Sequence, residues 1–191
     1  MDSIFVSHIC KSFDGKKVLD HFSAEIPKEA VTCIMAPSGG GKTTLLRILM
    51  GLTPPDEGVI SGMAGLKISV VFQEDRLMEN LDASGNIRLV SPKLSSKKIQ
   101  TELENLGLWG CTGQPVSEFS GGMRRRVSLL RALLADYDIL FLDEPFKGLD
   151  SDTRSKVISY TREHCLGRTV VLVTHDPSEA DDMNAARILT L

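Results

Sequence analysis

The apolar run Val31-Thr32-Cys33-Ile34-Met35 leads straight into Ala36-Pro37-Ser38-Gly39-Gly40-Gly41-Lys42-Thr43-Thr44, and a second apolar stretch follows. No other feature constrains the fold as tightly. The first run is too short for a helix and rich in strand formers, so the order is strand, glycine-rich loop, helix, which is that of a phosphate-binding loop. Glycines let backbone N–H groups turn inward around phosphate oxygens, and the helix N-terminus adds partial positive charge. Lys42 reaches β- and γ-phosphates, and the Thr43 hydroxyl is placed for Mg²⁺. Ala36 stands where such loops usually begin with glycine. Pro37 keeps its predecessor extended at negative φ, where alanine fits without strain, so the loop is expected to bind nucleotide.

The rest of the chain alternates short apolar runs with longer amphipathic segments, the pattern of an α/β protein with a mostly parallel sheet. Buried strands are predicted at 31–35, 68–72, 139–142 and 169–174. Segments 4–13 and 17–26 flank Asp14-Gly15, a hairpin signal. Helices are predicted at 42–50, 95–106, 121–134 and 151–165, with 74–135 a mainly helical insertion and 54–58 only a turn. No repeat or linker breaks the 191 residues, which read as one domain, 1–191, ending where its core ends and with no regulatory domain after it. Twenty-two basic against 25 acidic residues give a net charge of -3, which argues against a nucleic-acid partner. The four cysteines form no CxxC pair and read as reduced thiols rather than a zinc or disulfide framework. No leader follows Met1, and no apolar run approaches the roughly 20 residues of a membrane span, so direct membrane insertion is not expected.

In open α/β sheets ligands bind outside the carboxyl ends of the strands. The run at 139–142 ends in Asp143-Glu144, the run at 68–72 in Gln73, and that at 169–174 in His175. Asp143 is the metal-side carboxylate and Glu144 the group to polarise a water for attack on a γ-phosphate. A second anion-binding helix start is Ser120-Gly121-Gly122, with Ser120 as N-cap and no lysine or metal ligand of its own. Arg124, Arg125 and Arg126 follow it; consecutive residues fan by about 100°, so they read as a solvated, partly ion-paired face.

These elements, in this order, resemble the ATP-binding subunit of an ABC transporter over essentially the whole chain. The resemblance implies a P-loop NTPase core, an N-terminal antiparallel β-subdomain and an inserted helical subdomain. It matches Phe13 to an adenine-stacking aromatic, Ala36, Pro37, Ser38, Gly39, Gly40, Gly41, Lys42 and Thr43 to the Walker A loop, with Thr44 after it also a nucleotide-binding residue, and Gln73 to the glutamine loop. Phe119 to Met123 match the signature, with Ser120, Gly121 and Gly122 as its phosphate-touching centre and Phe119 and Met123 departing from the usual residues. Asp143 matches the end of Walker B, Glu144 the catalytic glutamate, Asp150 the aspartate loop and His175 the switch histidine. ATP and Mg²⁺ are the implied ligands, the metal held by Thr43, Gln73 and Asp143. A second ATP-binding subunit is the implied partner, each signature closing on the other's ATP, and integral membrane permease subunits dock at 74–90. The subunit is then cytoplasmic and peripheral to the membrane. Gln73-Glu74-Asp75-Arg76-Leu77 looks like importers of nitrate, sulfonate and taurine. Two other readings stand beside this one. A soluble ABC ATPase acting on DNA or ribosomes lacks here the coiled coil or tandem domains it would need. A small-metabolite kinase leaves 120–123, Glu144 and His175 unexplained.

Overall fold

The computed structural model describes residues 3–37, 39–111 and 113–191. Strands β1 (Ser3–Phe13) and β2 (Lys16–Pro27) form a hairpin whose turn residues, Asp14 and Gly15, both have positive φ. A two-residue turn of that handedness matches the twist of the flanking strands. β3 (Val31–Met35) and α1 (Lys42–Leu49) flank the glycine loop as predicted. β4 (Glu57–Ser61) and β5 (Ile68–Val71) follow, then α2 (Ala83–Arg88), α3 (Ser96–Asn105), a single 3₁₀ turn (Val116–Glu118) and α4 (Gly121–Leu133). The chain continues through β6 (Ile139–Asp143), α5 (Ser151–His164), β7 (Thr169–Thr174), α6 (Pro177–Asp182) and β8 (Arg187–Thr190). Between β5 and β6 the described residues contain helices and no strand. None of the described helices is long and apolar enough to cross a membrane, and all four cysteines are free and buried.

Five strands form one sheet in the order β5-β6-β7-β3-β8, every pairing parallel, so their carboxyl ends share one edge. Every residue of β6 and β7 is buried, as expected of strands covered on both faces. Period-2 alternation divides them between two cores. Ile139, Phe141, Val171 and Val173 pack with Leu45, Leu46, Ile48 and Leu49 of α1 and with Ile4, Val6 and Ile9 of β1. Leu140, Leu142, Val170 and Leu172 face Ile87, Ile99, Leu103, Leu130 and Val157 from α2, α3, α4 and α5. The helix that follows the glycine loop thus contributes its apolar side to a core shared by both sheets. The fold is the P-loop α/β architecture with an antiparallel N-terminal sheet and inserted helices.

One expectation is corrected. Segment 54–58 is not merely a turn: its end begins β4, which pairs antiparallel with β1 and completes a sheet of order β2-β1-β4. Gly58 makes that approach possible. It lies at φ 93, and a Cβ there would stand 2.4 Å from the His8 carbonyl oxygen and 2.5 Å from that of Ser7. Gly58→Ala should therefore cost about 1–3 kcal/mol, read as a lowered denaturation midpoint at unchanged m-value.

Candidate functional site

The glycine loop turns tightly between β3 and α1. A Cβ on Gly40 would lie 2.9 Å from both the Ala36 Cβ and the Pro37 carbonyl oxygen, so only glycine closes this turn without a shift. Gly41 stands before α1 at φ 86, and no side chain caps the helix, leaving its first N–H groups available to an anion. Lys42 Nζ donates to the carbonyls of Ala36 at 2.5 Å and Pro37 at 3.1 Å, folding back over the loop. Ala36 is absent from the described residues with positive φ, as Pro37 requires. Ser38, named from the sequence, lies outside the described residues.

The parallel sheet brings the other strand-end groups to the same place. A cleft of about 600 Å³ is lined by Gly39, Gly40, Gly41, Lys42, Thr43 and Thr44, and equally by Gln73, Asp143, Glu144 and His175. Val18 and Lys147, neither singled out by the sequence, complete its wall. Thr43 Oγ1 lies 3.5 Å from Asp143 Oδ2, a pair of hard oxygen donors of the kind Mg²⁺ takes. Burial raises the Asp143 pKa, and the neighbouring Glu144 carboxylate raises it further, against the opposing pull of Arg125, Thr43 and Lys42. A divalent cation would relieve that conflict.

Glu144 sits at φ 49, a left-handed conformation uncommon for a non-glycine residue. Its N–H donates to the Val173 carbonyl at 2.9 Å, which fixes the strain from the β7 side. The carboxylate is 12% exposed, and the more open His175 ring (65%) offers Nδ1 at 2.8 Å from Oε2 and 2.9 Å from Oε1. An ionised carboxylate only accepts, so His175 Nδ1–H donates and orients it. Around His175, Asp176 pairs with Arg154 and accepts from the Ser178 N–H at 2.9 Å, while the Thr174 hydroxyl donates to Glu179 at 2.5 Å. Hydrogen bonding from Arg154 pulls Asp176 down to about 2.

The arginine run is not a solvated face. Arg125 is 5% exposed, and its guanidinium reaches both strand ends. Nε donates to Pro145 O at 2.9 Å, Nη1 to Phe72 O at 2.6 Å, and Nη2 to Asp143 O at 2.7 Å and Glu144 O at 2.6 Å. Asp75 supplies a carboxylate 3.3 Å away. The run hides this role, but position 125 lies one helical turn before the buried Leu129, on the inward face of α4. Only Arg124 and Arg126 keep the partly exposed character expected.

The remaining predicted residues lie outside the cleft lining. Ser120 caps α4 by accepting from the Met123 N–H at 3.3 Å, and a Cβ on Gly122 would lie 3.5 Å from Leu149, one residue before Asp150. Asp150 caps α5, accepting from the Thr153 N–H at 3.0 Å. None of Ser120, Gly121, Gly122 and Asp150 lines the cleft. Neither does Phe13, which is 48% exposed at the hairpin tip with the Lys11 ammonium 5.5 Å from its ring centre.

Residues 19–147 match the family described as ABC transporter. The chain belongs to that family. It is 35% identical to a sulfate/thiosulfate import ATP-binding protein of Mesostigma viride over 93% of this chain and 56% of that protein. A probable sulfate/thiosulfate import ATP-binding protein of Chlorella vulgaris matches at 35%, covering 95% of this chain and 84% of that one. An aliphatic sulfonates import ATP-binding protein of Burkholderia cenocepacia matches at 33%, covering 89% and 67%. This chain thus spans little more than half of the Mesostigma ABC protein. Its ABC relatives are named for import, as the resemblance implied, but for sulfate, ferric iron and sulfonate at similar identity.

Two outcomes test the geometry. Arg125→Met strips five carbonyls, that of Gln73 at 3.4 Å included, and Asp75 of their common donor, and should cost about 3–5 kcal/mol in chemical denaturation. Arg125→Lys should rescue little, since an ammonium cannot reproduce the planar fork. Asp176 is held at about 2, below its unfolded value near 3.9, so its stabilisation is complete above roughly pH 4 and drains as pH falls toward 2. Asp176→Asn should flatten that limb of the stability–pH curve.

Proposed function

We propose that this chain is the ATP-binding and ATP-hydrolysing subunit of an ABC importer, working as one of two ATP-binding subunits docked on a membrane permease. One observation carries the reading: Lys42, Thr43, Gln73, Asp143, Glu144 and His175 line a single cleft, whereas Ser120, Gly121, Gly122 and Asp150 do not. A phosphate site without its signature is complete only when a second copy supplies one. Twofold pairing makes two such composite sites, because each surface then meets its complement. The partly exposed Phe13 stacks on adenine.

Within the cleft, the free N–H groups at the start of α1 and the glycine loop hold phosphate oxygens, and Lys42 turns from its carbonyls to the β- and γ-phosphates. Thr43 and Asp143, with Gln73, hold Mg²⁺, which when bound neutralises charge on the transferred phosphoryl group. Glu144 orients and deprotonates the attacking water, and His175 keeps the carboxylate aimed. Exposed Met78, Leu89 and Val90 support a docking surface for the permease within 74–90, on the cytoplasmic side of the membrane.

Glu144→Gln keeps size and Mg²⁺–ATP binding but removes the base. Phosphate release should fall by about 100-fold or more while ATP remains bound. ATP favours the closed pair, so this variant with ATP should elute as a dimer in size-exclusion chromatography, and Lys42→Ala or Ser120→Arg should abolish the dimer. Hydrolysis at the parent rate would assign the base to another residue. A monomer under all conditions would exclude the homodimer.

A further inference from the structure

Away from the cleft, the antiparallel sheet brings together a thiol, an imidazole and a carboxylate. β1 and β2 pair in register at Ile9 with Phe22 and again at Lys11 with Leu19. Between these pairs β1 has only Cys10, while β2 has Asp20 and His21, so β2 carries an extra residue at this bulge. His21 lies at φ 49, a conformation histidine enters more readily than most residues. Bulges re-aim side chains, and this one turns the His21 ring onto Cys10. Cys10 Sγ is 3.4 Å from His21 Nδ1 and accepts the His21 backbone N–H at 3.3 Å. Asp20 Oδ1 lies 3.8 Å from His21 Nε2, and one ligand atom from each of the three residues falls within 4.8 Å of the others.

We propose that Cys10, His21 and Asp20 bind a divalent transition-metal ion of the zinc class. Tetrahedral zinc, with Zn–S of about 2.3 Å and Zn–N of about 2.0 Å, sets sulfur and nitrogen roughly 3.5 Å apart. The sulfur and Nδ1 already stand at that separation. Asp20, exposed on the hairpin, stands nearer Nε2, and its side chain would have to rotate toward Nδ1 to complete the ligand set. It gives up its 2.9 Å ion pair with Lys17 to do so, and an exposed pair of that kind is weak. The His21 backbone N–H on the sulfur is an outer hydrogen bond of the kind that orients a metal ligand. Thiolate and imidazole select zinc or cobalt over Mg²⁺, so this site does not compete for the cation of the cleft. The other described thiols are poorer candidates: burial pushes Cys33 and Cys165 up to about 12, and Cys111 donates to the Trp109 carbonyl at 3.3 Å. A bound ion would tie β1 to β2 near the hairpin end that carries Phe13 and Val18, clamping the hairpin that borders the cleft.

The test is titration of the full chain with Co²⁺ alone, without nucleotide. The expected result is a near-ultraviolet thiolate-to-cobalt charge-transfer band that saturates at one equivalent and is bleached by Zn²⁺. Cys10→Ser should abolish the band, and His21→Ala and the exposed Asp20→Asn should each weaken binding by about tenfold or more. Circular dichroism of each variant separates lost ligation from lost folding, and Asp20→Asn decides if Cys10→Ser does not fold. Absence of the band, its survival in folded Cys10→Ser, or unchanged affinity in Asp20→Asn overturns the assignment. An oxygen-ligated cobalt in the cleft gives no thiolate band and is not mistaken for this site.

Discussion

The Arg125 guanidinium holds two strand ends and a helix in one arrangement. It leaves α4 one turn after Ser120 and meets carbonyls that follow β5 and β6, with Asp75 as its counter-charge. Burial pulls its pKa down, with Asp75 and then Asp143 and Glu144 opposing the change, yet a guanidinium remains charged. Five donors in a rigid fork can satisfy several carbonyls at once, and no other side chain could do so from one position. The backbone at Gln73 and Glu144 is thereby held by the helix that Ser120 caps and Gly121 and Gly122 begin. That helix is tied to the backbone of Asp143 and Glu144 through a single side chain.

Electrostatics in the cleft follow from this placement. Two carboxylates, Asp143 and Glu144, are adjacent at the end of a fully buried strand, an arrangement that costs free energy unless cations face it. Arg125 approaches from behind through backbone carbonyls, Lys42 borders the front, and His175 holds Glu144 from the open side. The Thr43 hydroxyl approaches the Asp143 carboxylate to 3.5 Å at the same strand end. The positive φ of Glu144 fits the same logic: strain persists where β7 holds the N–H and Arg125 the carbonyl of one residue.

Much was legible because it is local. Largely apolar runs ending at or beside Met35, Val71, Asp143 and Thr174 are four of the five parallel strands within a residue, and β6 and β7, buried along their whole length, are the least interrupted. β4 and β8 escaped notice because their residues are largely exposed and their pairing depends on distant partners, β1 and β3. Helices α2 and α6 are six residues each, shorter than two helical turns, too short for periodicity to register. Arg125 was misread for a different reason. Three arginines in a row look solvated, and only the chain crossing behind them supplies the carbonyls that make one of them interior.

The amino-acid order by itself determined the phosphate loop, the strand-end acids and the sense of the sheet, because each is written in contiguous residues or in a period that one strand or helix imposes. Tertiary structure alone decided which groups share a cleft and which stand apart. Parallel strands bring Gln73, Glu144 and His175 together, while the caps at Ser120 and Asp150 do not line that cleft. It also decided that Arg125 turns inward and that Cys10 meets His21. A side chain's charge is local, but its partners are set by packing between segments far apart in the chain, and no local pattern encodes that distance.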